Sequence, residues 1–96
     1  MEEFSRSDIV ISTAGRDQGK LFYVIGTEGV YVLLANGKDR KLERPKRKKT
    51  KHVRFVTRRE SRVAEKLRTG VKVLNSELRK DLASMRQDIL SPDQGG

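Results

Sequence analysis

The chain has 96 residues, of which 36% are charged and 34% hydrophobic, with no Cys and a formal net charge of +9. One domain of this size buries only about 60–65% of its unfolded surface, so every strand or helix has to serve a compact core. The composition excludes a disulfide staple and a thiolate metal site, is not polar enough for disorder throughout, and offers no apolar run near the ~18 residues of a membrane span. The start, M-E-E-F-S-R-S-D, is acidic and lacks a hydrophobic signal region, so a cytoplasmic protein is expected.

Ile9-Val10-Ile11 is β-branched and bounded by Asp8 and Ser12-Thr13-Ala14-Gly15, which predicts a first strand. Gly15 to Lys20 reads as a polar loop with a glycine near each end. Leu21–Ile25 and Val30–Ala35, rich in aromatic and β-branched residues, predict the next two strands around a Gly26–Gly29 turn. Asn36-Gly37 is a strong hairpin signal and predicts a return strand over Lys38–Glu43, ended by Pro45. The alternation of His52 to Val56 predicts a fifth strand. Five short strands joined by tight turns bury their apolar face best by curling into a small barrel. Ile9, Ile11, Phe22, Val24, Val30, Val32, Leu34, Leu42, Val53 and Phe55 are the expected core.

From Thr57 the pattern becomes helical. Thr57-Arg58-Arg59-Glu60 has capping-box spacing, and Val63 and Leu67 fall four apart before Gly70. Asn75 is placed to cap a second helix, with Glu77 in its first turn. Leu78, Leu82, Met85 and Ile89 make one apolar stripe. The expected organisation is therefore mainly β: a five-stranded barrel over residues 5–56, two short helices over 57–90 and a disordered tail over 91–96.

Charge is concentrated rather than spread. Lys38 to Arg59 holds twelve Lys or Arg against Asp39 and Glu43, a balance of +10, so the remaining 74 residues come to −1. Between Lys46 and Lys51, five of six residues are cations, which repel one another without a partner. Such a patch is the electrostatic footprint of polyanion binding, since neutralising phosphates releases condensed counterions.

Ile9 to Gly26, I-V-I-S-T-A-G-R-D-Q-G-K-L-F-Y-V-I-G, resembles a KOW motif, with Gly19 as the loop glycine. Tyr31 to Val53, with its N-G-K-D-R turn and P-K-R-K-K-T-K-H run, resembles the fourteen-e family of large-subunit ribosomal proteins, so the likeness covers about half of the chain. The tail stretch E-K-L-R-T-G-V-K-V-L-N-S-E-L-R-K-D-L is similar to the ends of stand-alone bacterial KOW proteins. The resemblance implies an SH3-like five-stranded barrel and contact with ribosomal RNA of the large subunit, in company with ribosomal proteins. Carried over by position, it implies phosphate contacts from Arg16 and Lys20 in the loop, from Lys38, Arg40 and Lys41, and from Lys46, Arg47, Lys48, Lys49, Lys51 and His52. Arg54 on the fifth strand joins them. Gln18 is a candidate for a base edge, and Tyr23, on the face opposite Phe22, for base stacking.

The chain offers no motif for catalysis. The loop Gly15–Lys20 lacks the Lys-Ser/Thr spacing and following helix of a nucleotide-binding P-loop. His52 is the only histidine, so neither a metal cluster nor a nucleophile–base pair is recognisable. We therefore expect a non-enzymatic, monomeric RNA-binding protein without cofactor and away from membranes. It would act as a ribosomal subunit protein or as an associated factor in translation. A protein-interaction module of a transcription or translation complex is the alternative.

Overall fold

The computed structural model describes residues 3–90; the expected tail at 91–96 and the Ile89 side chain lie outside the described residues. The apolar runs form β1 (Asp8–Ser12), β2 (Leu21–Glu28) and β3 (Tyr31–Ala35), and the sheet is completed by β4 (Lys46–Lys49) and β5 (Val53–Arg58). All pairings are antiparallel, in the order β4-β3-β2-β1-β5. Helices α1 (Arg62–Thr69) and α2 (Asn75–Leu90) follow. No described helix is long and apolar enough to cross a membrane.

The fourth strand is not where Asn36-Gly37 predicts it. The Asn36 side chain accepts from the Lys38 and Arg40 backbone amides at 2.9 and 3.0 Å. The amides of Asn36 and Gly37 both donate to the Arg40 carbonyl. These local bonds make a wide loop in place of a two-residue hairpin. Pairing resumes only after Pro45, and the basic run itself becomes the edge strand: Lys46 lies opposite Leu34 and Lys49 opposite Tyr31. A single 3-10 turn, Thr50–His52, carries the chain from β4 to β5. Its neighbours take up the backbone bonds, with Thr50 donating to Val30 and His52 accepting from Thr13. Among the described residues no ladder joins β4 to β5, so the sheet remains open and the expected barrel is not closed by hydrogen bonds.

Both faces of the sheet are buried. Side chains alternate along a strand, so Phe22 and Tyr23 do point opposite ways. Val10, Phe22, Val24, Val32, Leu34 and Val53 form an inner cluster closed by Phe4. Ile9, Tyr23 and Ala35 form an outer cluster with Val63, Ala64 and Leu67 of α1 and Leu78, Leu82 and Met85 of α2. Each of two bulges adds a residue to the helix side. Ile25 in β2 and Val56 in β5 are skipped in the pairing register and pack against the outer cluster. Two expected core residues are in solvent instead. Val30, 63% exposed, sits in the β2–β3 turn, and Phe55, 44% exposed, precedes the β5 bulge. Ile11 and Leu42 are half-buried.

The helix ends differ in detail from the sequence signals. Thr57 and Arg58 remain in β5, paired with Ile9 and Asp8, so the box beginning at Thr57 is unused. Ser61 caps α1 by accepting from the Ala64 amide at 3.1 Å, and Gly70 ends it at φ +80°. At α2, Glu77 reaches back to the Leu74 amide at 2.9 Å. The Asn75 side chain is spent elsewhere: it accepts from the Leu42 amide at 2.8 Å and donates to Glu43. It thus pins the 36–45 loop to the helix.

Two contacts seat α2. The Tyr23 hydroxyl donates to the Asp81 carboxylate, which also accepts from Ser61 and Arg59 at 3.1 Å each. Gly37 lies against the first turn of α2, where a Cβ would stand 2.2 Å from the Asn75 carbonyl oxygen. Its φ of +77° is itself unfavourable for an L side chain. Gly37→Ala should therefore cost about 2–4 kcal/mol, combining left-handed strain with overpacking. Gly19→Ala, with a similar φ but open space around it, should cost only about 1–2 kcal/mol. Urea denaturation of both variants measures the difference.

Burial, and then the hydrogen bond to Asp81, push the Tyr23 hydroxyl well above its ordinary pKa of 10.0. A raised folded pKa means that this contribution is fully present below pH 10 and is lost as pH rises beyond it. Tyr23→Phe should lower stability at pH 7 by about 1–2 kcal/mol. It should also remove part of the loss of stability above pH 10, as followed by chemical denaturation at several pH values.

Candidate nucleic-acid interface

The β1–β2 loop is a fixed turn. Gly19 donates to Ser12 at 2.8 Å, Ser12 to Lys20 at 3.0 Å and Lys20 to Asp17 at 2.9 Å. Gly15 and Gly19 supply the positive φ angles, +79° and +88°. Asp17 is buried beneath the turn, while Arg16 and Gln18 project into solvent.

Four contacts make this loop the hub of the basic region. The Lys48 ammonium donates to the Ala14 carbonyl at 2.7 Å, bringing β4 to the loop. The Thr13 amide donates to the His52 carbonyl at 2.9 Å, bringing the 3-10 turn. Lys20 pairs with Asp39 at 2.7 Å and Arg40 with Asp17 at 3.8 Å, bringing the 36–45 loop. Arg16, Gln18, Lys20, Lys38, Arg40, Lys46, Lys51 and His52 are thereby gathered on elements that touch one another. Lys41 follows on the 36–45 loop, and Arg54 lies on β5 opposite Ile11.

The remaining candidates are placed differently. Tyr23 is fully buried beneath the helices and cannot stack on a base. The reason is the second core, which covers the face that a one-sided sheet would leave open. Lys48 is also buried, and its ammonium is used by Ala14, so it is a brace rather than a phosphate contact. Alternation sends Arg47 and Lys49 to the sheet face opposite Lys46 and Lys48. There Arg47 pairs with Glu28 at 3.3 Å and lies 4.0 Å over the Tyr31 ring.

Electrostatics divides the cations into two groups. Lys20, Arg40 and Arg47 have carboxylate partners; the hydrogen bond to Asp39 raises the Lys20 pKa and reciprocally lowers that of Asp39. The Lys20–Asp39 and Arg47–Glu28 pairs are exposed and solvent-screened, so a phosphate can compete for them, whereas Arg40 is tied to the buried Asp17. Among the described residues, no carboxylate lies within 4 Å of Arg16, Lys38, Lys41, Lys46, Lys49, Lys51 or Arg54. The sequence reading left aside the exposed Arg79 and Arg86 of α2, although their i, i+7 spacing beside the Leu78–Leu82–Met85 stripe places them on one helical flank.

No group of three or more His, Cys, Asp or Glu able to hold a metal ion occurs among the described residues. No protein-family model matches the chain, and no curated protein matches it.

The brace has a direct consequence. Lys48→Met should remove this charge-assisted bond, leaving the Ala14 carbonyl only the Ser12 hydroxyl at 3.1 Å, and cost about 1–3 kcal/mol. Lys49→Met, at an exposed and unpaired neighbour, should stay within about 0.5 kcal/mol. Urea denaturation distinguishes the two.

Proposed function

We propose that the protein binds folded RNA in the cytoplasm, with ribosomal RNA of the large subunit as its target, and carries out no catalysis. The observation that supports this best is the set of cations without carboxylate partners around the β1–β2 loop. They stand on backbone fixed by hydrogen bonds, so little ordering entropy is lost when phosphates arrive. Lys and Arg contacts to phosphate carry no base information, so the shape of the RNA sets the choice of target. The likeness of Tyr31–Val53 to the fourteen-e ribosomal proteins points the same way. Whether the chain is a permanent subunit protein or an associated factor is answered by comigration with the large subunit through a sucrose gradient in high salt.

A second reading, a protein-interaction module, draws on Val71 and Leu74, which are exposed in the α1–α2 connection. Retention of a protein partner after RNase treatment would favour it.

If about six phosphates are neutralised, the logarithm of affinity for ribosomal RNA should fall with the logarithm of salt at a slope of roughly −4 to −5. Reversing charge at Lys38, Lys46 and Lys51 together should weaken binding at least tenfold and reduce that slope by about 2. The same change at Lys49, Arg47 and Glu28, on the opposite face, should have a smaller effect. A slope near zero in a filter-binding titration would reject the reading.

A further inference from the structure

Between α2 and the 36–40 loop runs an open groove of about 480 Å³. Its floor is apolar, made by Leu21 at the start of β2 and by Leu82 and Ala83 of α2. Its walls carry Lys38 from the loop and Arg79 and Arg86 from the helix. Asp39 also lines it, but that carboxylate is held by Lys20.

Resting on the RNA-binding reading, we propose that this groove receives one unstacked nucleotide of the RNA, such as a single-nucleotide bulge. The occupant follows from the chemistry of the lining. Arg79, Ala83 and Arg86 recur at i, i+4 and i+7, so they share one flank of α2, with the two arginines about 10 Å apart along the axis. Two guanidinium groups astride an apolar strip suit a planar base, which can lie on the strip or stack on a guanidinium while its flanking phosphates meet the cations. A fully paired helix presents no such base. The groove and the cations around the β1–β2 loop are joined through the Lys20–Asp39 pair, so one RNA can engage both. Seating of α2 on Gly37 fixes the groove's width, because the loop wall and the helix wall meet there.

The test uses the full chain and two RNA hairpins of identical stem, one fully paired and one carrying a single bulged 2-aminopurine. The bulged hairpin should bind roughly fivefold tighter or more, with a change in 2-aminopurine fluorescence on binding. Arg79→Gln with Arg86→Gln should abolish the preference and the fluorescence change while leaving affinity for the paired hairpin within about threefold. Ala83→Glu, a helix-compatible change at an exposed position, should do the same; unchanged thermal melting shows that each variant is folded. Equal binding of the two hairpins by the wild type, with the expected salt slope retained, overturns the groove assignment and leaves the RNA reading standing. Binding of neither hairpin overturns both. Release of the bulged base by a Glu-rich peptide that does not compete for the paired hairpin would give the groove to a protein partner and overturn the assignment.

Discussion

Tyr23 carries its hydroxyl through the outer face of the sheet to Asp81 of α2, and most of the architecture follows from that contact. A sheet of five short strands cannot bury both faces by curling alone. Here the inner face is closed by Phe4 and the curl, and the outer face needs the two helices. The contact joins groups that would otherwise be costly to bury: a phenol, a carboxylate, the Ser61 hydroxyl and the Arg59 guanidinium satisfy one another. Ser61 serves twice, since it also caps α1. The tail is therefore a structural part of the domain, and a chain shortened before α2 would lose Leu78, Leu82 and Met85 from the outer cluster.

The basic run has two physical roles that coincide on the same residues. As β4 it is an edge strand, and Lys or Arg along an edge discourages pairing with another sheet. That duty alone would be met by cations pointing anywhere off the edge. It does not require Lys48 to cross to Ala14, nor the 3-10 turn to be held by Thr13, nor the 36–45 loop to be tied to Asp17 and Lys20. Those ties fix the positions of neighbouring cations relative to one another. Edge protection explains why the strand is charged; the polyanion partner proposed above would explain why the charged elements are braced together.

The strands were legible where side-chain type and alternation act locally: β1, β2, β3 and β5 fall where Val, Ile and aromatic residues predict them. The fourth strand was not, because Asn36 satisfies its own loop and Asn75, far along the chain, holds Leu42. No local pattern at Lys38–Glu43 announces that competition. Gly37 was legible as a glycine needing positive φ, but the helix backbone beneath it was not. For the site, the position of the charge was readable and its division was not. Lys48 and Lys46 are indistinguishable in sequence, yet one is buried against a carbonyl and the other is half-exposed. Strand alternation puts Tyr23 opposite Phe22 but does not announce that the helices cover that face. Their apolar stripe already needed a partner surface, and the outer face of the sheet was the only large one at hand.

The ion pairs at the β1–β2 loop bear on how the proposed surface would release a polyanion. Lys20 and Arg40 are held by Asp39 and Asp17 at the centre of the cationic region. Without these carboxylates the cations there would repel one another and strain the junction of the two loops. With them, an arriving phosphate has to displace Asp39 to take Lys20, so its gain is the difference between two ionic contacts rather than the whole of one. The unpaired Lys38, Lys46 and Lys51 carry no such offset. On the proposed reading, the unpaired cations supply most of the affinity, and the paired ones hold the loops in register for it. On the same reading these carboxylates would keep affinity for short or flexible polyanions low, since only an RNA that reaches several unpaired cations at once would recover enough to bind.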